Sequence, residues 1–226
     1  MTDQELADKT IDITETMRFS EIRDKIDNTG LVAPRVFRGG GKGKIKLIFL
    51  GQDPTVNDPQ DRKAVKVVLN LDQKKKSLYR YLKGICDDLG LDIEQNVYAT
   101  NLLKNFFIKP PDQMEKSGQA PGLIRKAYPY WKDLLSDELY EFKNTPIITL
   151  GEPVISCIMN KAVQVRDFWG YQGPESYKRK MKHILPDENL LHRHIFPFPH
   201  IHGRRHEIYE EKNRKKYASY MKEFFK

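Results

Sequence analysis

The chain has 226 residues, of which 39% are hydrophobic and 11% aromatic. This composition is sufficient for a folded core and excludes wholesale disorder, and the length suits one substantial domain. Lysine and arginine outnumber aspartate and glutamate by 39 to 31, which gives a formal net charge of +8 at pH 7. The excess of positive charge favours a polyanionic partner such as nucleic acid.

Cysteine content and hydropathy exclude several further classes. The two cysteines, Cys86 and Cys157, are too few for a disulfide framework or for a four-cysteine zinc or iron–sulfur site. No stretch approaches the roughly 18 apolar residues of a membrane span, and the polar N-terminal segment lacks the apolar core of a signal peptide. We therefore expect a soluble, cytoplasmic protein that needs no metal or other cofactor.

Apolar spacing divides the chain into alternating elements. Helical periodicity predicts a helical region within residues 1–28, which a basic Gly/Lys loop at 38–44 follows. Short apolar runs predict buried strands at 45–50, 65–69, 96–100, 146–150 and 190–196. Apolar residues three to four apart predict helices at 78–89, 121–142, 152–161 and 206–225. The whole chain, 1–226, is expected to form one domain.

This alternation predicts an α/β fold with right-handed crossovers. We expect a three-layer α/β/α sandwich around a central, mostly parallel four-stranded sheet. Ligands of such sheets bind outside the carboxyl ends of the strands. Polar residues follow three of the predicted strands at that edge: Gln52 and Asp53, then Asn101, then the histidines and arginines of 197–205. A turn or a helix cap explains each residue alone, but their combination points to a site.

Four segments resemble the uracil-DNA glycosylase superfamily. Residues 50–55, LGQDPT, resemble its water-activating motif, and residues 97–102, VYATNL, are similar to the strand that delivers its base-reading asparagine. Residues 149–153, TLGEP, resemble its glycine-ended fourth strand, and residues 199–203, PHIHG, resemble a degenerate copy of its HPS-type loop. The resemblance covers about residues 45–205, in the order of the family.

The resemblance implies a metal-independent DNA glycosylase of base excision repair, which hydrolyses the N-glycosidic bond of uracil or a related damaged pyrimidine. Such an enzyme flips the nucleotide out of the stack. Asn101 would bind O4 and N3 of uracil, because one amide offers both a donor and an acceptor. Asp53 would orient water and stabilise the oxocarbenium-like sugar. The main chain of Gln52 would help to bind the base, Pro54 would stiffen the loop, and Thr55 replaces a tyrosine that excludes the thymine methyl group.

The final loop would supply the third catalytic group and the contacts to DNA. His200 would donate to O2 of the base as a neutral imidazole, with His202 as the reserve candidate. An alternative register places Phe196 at this position and would abolish the role. Ile201 would be an apolar wedge, and the residues that follow would approach the duplex or hold its phosphates: Gly203, Arg204 and Arg205.

Two departures from the family leave alternatives open. Thr55 would make the pocket roomier, and no aromatic residue occurs between Gly51 and Leu78 to stack on the base. The flat wall of the pocket must then come from Val67, Val68, Leu69, Asn70 or Phe106. One alternative is a catalytically impaired nucleic-acid-binding protein of the same fold, and another is a hydrolase of free nucleosides or nucleotides. In the leading interpretation a monomer acts on single- or double-stranded DNA.

Overall fold

A five-stranded sheet forms the centre of the computed structural model, which describes residues 1–17, 20–27, 33–40, 44–120, 122–170, 180–201 and 209–225. The order of the strands across the sheet is β1-β3-β2-β4-β5. Strands β2 to β5 run parallel to one another, and β1 pairs with β3 in the antiparallel direction. The strands are β1 (Phe37–Arg38), β2 (Leu47–Gly51), β3 (Val97–Asn101), β4 (Ile147–Leu150) and β5 (Ile195–Phe198).

Helices pack in two groups, which confirms the predicted α/β class with a mostly parallel sheet. One group contains α3 and α8, and the other contains α1, α5, α6 and α7. Right-handed crossovers account for this division, because the chain moves from β2 to β3 in one direction and from β3 past β2 to β4 in the other. The helices are α1 (Asp3–Thr16), α2 (Pro59–Arg62), α3 (Ser77–Leu89), α4 (Ile93–Asn96), α5 (Pro111–Lys116), α6 (Leu123–Leu139), α7 (Glu152–Ile158) and α8 (Glu211–Met221).

The prediction of a four-stranded sheet was wrong by one strand. Strand β1 is only two residues long and pairs with Ala99 and Tyr98 of β3. Arg38 in this strand lies over the ring of Tyr98 and forms an ion pair with Glu141, so it has a structural role instead of belonging to a basic connecting loop. Two residues are too few to produce an alternating pattern. Residues 41–43 of the predicted Gly/Lys loop lie outside the described residues.

The predicted strand at 65–69 was also wrong. Val67 forms one isolated bridge with Arg35, and a short 3₁₀ turn, Val68–Asn70, follows it. Leu69 and Asn70 have φ angles of 56° and 52°, which no extended strand allows. The apolar run is therefore buried as an irregular segment that crosses the carboxyl edge of the sheet.

The last strand begins later than the predicted run at 190–196. Residues 190–194 form turns, in which His192 has a φ of 52°. The buried guanidinium of Arg193 donates to the main-chain oxygens of Leu139 and Phe142, at the carboxyl end of α6. His192 and His194 therefore lie before β5 begins, although the predicted strand at 190–196 would place both of them on one of its faces. Strand β5 lies at the edge of the sheet, the position at which Pro197 is tolerated because an edge strand can spare an N–H group.

The terminal helical regions are shorter than the predictions. Helix α1 ends at Thr16, and among the described residues of the predicted region 1–28 the one further helical element is a 3₁₀ turn at Arg23–Lys25. Helix α8 covers Glu211–Met221 of the predicted 206–225 and ends in a second 3₁₀ turn. Across the described ranges, every helix is too short or too polar to cross a lipid bilayer.

Candidate active site at the carboxyl edge of the sheet

The candidate site is built on the adjacent ends of β2 and β3. Gly51 and Asn101 are register partners in the parallel pairing of these strands. Beyond the strands, the Leu102 amide donates to the Gly51 oxygen at 2.8 Å, and the Leu103 amide donates to the Gln52 oxygen at 2.9 Å. These bonds hold residues 51–55, here called the Gly51 loop, directly beside the turn that begins at Asn101.

Asn101 has a buried acceptor that the protein leaves unused. The residue is 1% exposed, and its Oδ1 has no hydrogen-bond partner among the described residues. A methyl group on Gly51 would lie 2.4 Å from this oxygen, so the close approach of the two strands requires glycine. Because buried polar atoms are almost always hydrogen-bonded, this oxygen is suited to accept a bond from a ligand.

Asp53 is oriented by its own loop. One carboxylate oxygen accepts a bond from Gln52 Nε2 at 2.8 Å, and the other accepts a bond from the Thr55 amide at 2.9 Å. Burial raises the pKa of the Asp53 carboxyl, and the bonds from Thr55 and Gln52 oppose this increase. Pro54 is buried between them. The result is a carboxylate with a fixed orientation in surroundings of low polarity.

Thr55 fastens the Gly51 loop to the segment after β3. Its Oγ1 accepts a bond from the Phe107 amide at 2.8 Å, and its own amide donates to Asp53. The hydroxyl group therefore serves to join two main-chain segments. Thr55 stands where the family that residues 50–55 resemble has a tyrosine, so the chain has no large side chain at this position.

Leu69 lies closest to the Gly51–Asn101 pair among the residues predicted to provide a flat wall. Its Cδ2 atom would be 2.6 Å from a methyl group on Gly51. Val67, Val68 and Phe106 are buried in the core or nearly so. Positive φ angles at non-glycine residues, as at Leu69 and Asn70, are costly and concentrate at functional sites. The wall beside Asn101 is thus aliphatic.

His200 stands two residues beyond β5 at the same edge of the sheet. Its Cβ would be 3.5 Å from a methyl group on Gly151, the residue that follows β4. The Gly151 amide donates to the Phe198 oxygen at 2.8 Å, and this bond joins the ends of the two strands. His200 is exposed. Strand β4 lies between β5 and β2 in the sheet, so His200 and the Gly51 loop follow strands that are separated by one strand.

The other predicted residues of the final loop differ in their placement. Phe196 is fully buried inside β5 and stacks on His183, so it belongs to the core and does not reach this edge. Ile201 is partly buried and packs against the hydrophobic core. His202, Gly203, Arg204 and Arg205 lie outside the described residues. Among the described residues, no three His, Cys, Asp or Glu side chains form a group that could hold a metal ion.

A scan against protein-family models and a search of curated proteins both find no significant match for this chain.

Sequence reasoning did not identify Lys104 and Glu138 as parts of the site. Lys104 is 4% exposed and donates to Asn101, and Glu138 on α6 is its buried partner. A usable signal was present, because Glu138 follows Leu134 by four residues and so occupies the apolar face of a predicted amphipathic helix. A carboxylate on such a face indicates a buried partner of opposite charge.

Proposed function

We propose that this protein is an intracellular DNA glycosylase that hydrolyses the N-glycosidic bond of uracil or a related damaged pyrimidine. The observation that carries the proposal is the buried Oδ1 of Asn101, which has no hydrogen-bond partner among the described residues and lies beside Gly51, at the edge where the Gly51 loop presents Asp53. An amide with a free acceptor next to an oriented carboxylate suits a ligand that has both a polar planar edge and an electrophilic carbon.

The amide would read the base. Oδ1 of Asn101 accepts from N3–H of uracil, and Nδ2 donates to O4. Cytosine presents an amino group in place of O4 and an acceptor at N3, so both bonds are lost and both amide atoms are left unpaired. Sites built on hydrogen bonds of this kind reject the wrong substrate strongly, because unpaired buried groups are costly.

The Asp53 carboxylate would act on the sugar side of the C1′–N1 bond, and the His200 imidazole would act on the base side. Asp53 orients a water molecule towards C1′ and stabilises the positive charge that develops on the sugar. The water oxygen forms the new bond to C1′ and gives its proton to the carboxylate, while the C1′–N1 bond breaks and its electron pair stays on the base. His200 donates an N–H to O2 of the base, where the negative charge grows.

The distribution of exposed cations supports DNA as the substrate. Six lie within eleven residues of Leu69 in the sequence, and five of them form no ion pair with another residue of the described ranges. Contacts of such side chains with phosphates provide most of the affinity for a nucleic acid backbone and make it depend on salt. A hydrolase of free nucleosides would not need them. The five are Lys63, Lys66, Lys75, Lys76 and Arg80.

The direct test is excision of uracil from single- and double-stranded oligonucleotides, detected as alkali-labile abasic sites. We expect cleavage that survives EDTA and falls at least 100-fold in Asp53→Asn. Asp72→Asn is the matched control, because Asp72 is an exposed aspartate in the next loop. Absence of abasic product from uracil and from related pyrimidine lesions would reject the proposal.

A second candidate is a nucleic-acid-binding protein of the same fold without catalysis. The aliphatic wall at Leu69 favours it, because stacking of a base on an aromatic ring is worth about 1–3 kcal/mol and is lost here. This candidate predicts salt-sensitive binding of the same oligonucleotides with no abasic product. Measuring binding and excision on the same samples separates the two functions.

A further inference from the structure

We infer that Lys104 is a positioning residue for Asn101, an inference that rests on the proposed glycosylase function. The Lys104 ammonium is buried and donates to three acceptors: the main-chain oxygen of Asn101 at 2.6 Å, Thr100 Oγ1 at 2.6 Å and Glu138 Oε2 at 2.5 Å. An ammonium group has three N–H donors, so every donor of Lys104 is used within the protein. No donor is left to contact a substrate.

The three bonds of Lys104 close the turn at the end of β3. Residues 100 and 101 supply two acceptors to a side chain four and three positions later, so the Thr100 hydroxyl and the main-chain oxygen of Asn101 are bound to one buried group. On the opposite side of the turn, the amides of Leu102 and Leu103 donate to the Gly51 loop. The backbone that carries Asn101 is therefore held from two directions.

Glu138 connects this turn to the rest of the molecule. It receives Lys104 at one oxygen, and its other oxygen accepts a bond from Tyr98 Oη at 2.7 Å. Glu138 belongs to α6 and Tyr98 belongs to β3, and both side chains are fully buried or nearly so. The position of the Asn101 turn therefore depends on how α6 packs against the sheet.

Asn101 needs this support because no hydrogen bond within the described residues holds its side-chain oxygen. Oδ1 has no hydrogen-bond partner among the described residues, so the main chain and the packing around Asn101 fix the direction in which this acceptor points. An amide that reads a base must match both hydrogen-bonding groups of that base. Misplacement of a substrate-binding group by about 1 Å can cost 100-fold in rate. Loss of the Lys104 bonds should therefore reduce excision without altering any group that contacts the base.

The experiment compares two variants that differ only in the lysine. Glu138→Gln is one reference, because it leaves Lys104 able to donate to Asn101 and Thr100. The wild-type protein is the second reference, because Glu138→Gln leaves the buried ammonium without its carboxylate partner. Lys104→Met with Glu138→Gln removes those donations, keeps a side chain of similar volume and leaves no buried charge unpaired. Single-turnover excision of uracil is measured for both, and again for both with Asn101→Ala added. Leu89→Ala, a core truncation at the far end of α3, shows what lost stability alone does to the rate.

If Lys104 acts through Asn101, its replacement lowers excision 10- to 100-fold when Asn101 is present and by less than about twofold in the Asn101→Ala background. An equal loss in both backgrounds, or no loss in either, overturns the inference. If the wild-type protein excises no uracil, the proposed function has failed. The side-chain amide NMR signals of Asn101 then decide whether Lys104 positions this residue. Shifted or broadened signals in the lysine variant relative to Glu138→Gln support positioning, and unchanged signals reject it.

Discussion

Replacement of Gly51 by alanine is the most direct perturbation of the candidate site. The added Cβ would lie 2.4 Å from Asn101 Oδ1 and 2.6 Å from Leu69 Cδ2. The leucine methyl is the end of a flexible and partly exposed side chain and can move away. Asn101 is 1% exposed and lies on a turn that Lys104 holds, so its amide can yield only by displacement of the oxygen that is proposed to read the base.

The magnitude follows from these distances. An ordinary C···O contact is at least about 3.3 Å, so the oxygen must move by roughly 0.9 Å. Extra volume in a packed interior costs about 1–3 kcal/mol of folding free energy. A displacement of nearly 1 Å at a substrate-binding group should lower the excision rate about 100-fold. We therefore expect a folded variant that has lost much more activity than stability.

Gly90→Ala provides the matched control. Gly90 ends α3 with a φ of 75°, and a Cβ there meets no atom within 4 Å. Alanine in this conformation costs about 1–2 kcal/mol through backbone strain alone. Urea unfolding should therefore give similar losses of stability for the two variants, while the single-turnover excision rate falls only in Gly51→Ala. Equal excision rates in the two variants would refute the assignment of Asn101 as the group that reads the base.

Three further perturbations probe the carboxylate, the histidine pair and the buried arginine. Because burial raises the pKa of Asp53 and the proposed catalysis needs its ionised form, the excision rate should fall on the acidic side with an apparent pKa above the ordinary value of an aspartate. Burial and the neighbouring His194 lower the pKa of His183 from 6.5 to about 4. As the pH falls from 6.5 to 4, the unfolded chain binds this proton before the folded protein does. Urea unfolding should therefore show a loss of at most about 3 kcal/mol of stability over this range, and His183→Leu should not show it. Arg193→Met leaves the last carbonyls of α6 without donors and should cost about 3 kcal/mol without changing the excision rate of the folded protein.

Each of these expectations has a contrary outcome. An acidic limb of the pH–rate profile that survives in a variant lacking the Asp53 carboxylate would assign it to another group. An unchanged pH dependence of unfolding in His183→Leu would show that the pair with His194 does not control acid stability. A large loss of excision in Arg193→Met at a temperature where the protein is folded would connect the end of α6 to the site.

The regular parts of the fold could be predicted from local patterns. The runs that end at Gly51 and Asn101 are apolar and continuous, as strands buried on both faces of a parallel sheet must be. Helix α3 ends where Gly90 adopts the left-handed conformation that stops a helix. The run at 65–69 has the same composition as a strand, but its backbone at Leu69 turns to a positive φ. Composition does not encode that turn, because it results from packing over the sheet edge.

Local sequence patterns are enough to predict the class of the fold and the residue types at the strand ends, because periodicity and end signals act over a few neighbouring positions. Three features of the site come from the packed chain: Gly51 faces Asn101, the amide oxygen of Asn101 has no partner within the described ranges, and Lys104 and Glu138 meet beside the Asn101 turn. These are contacts between residues 34 and more positions apart. They depend on strand register and on how α6 packs, which no local pattern specifies.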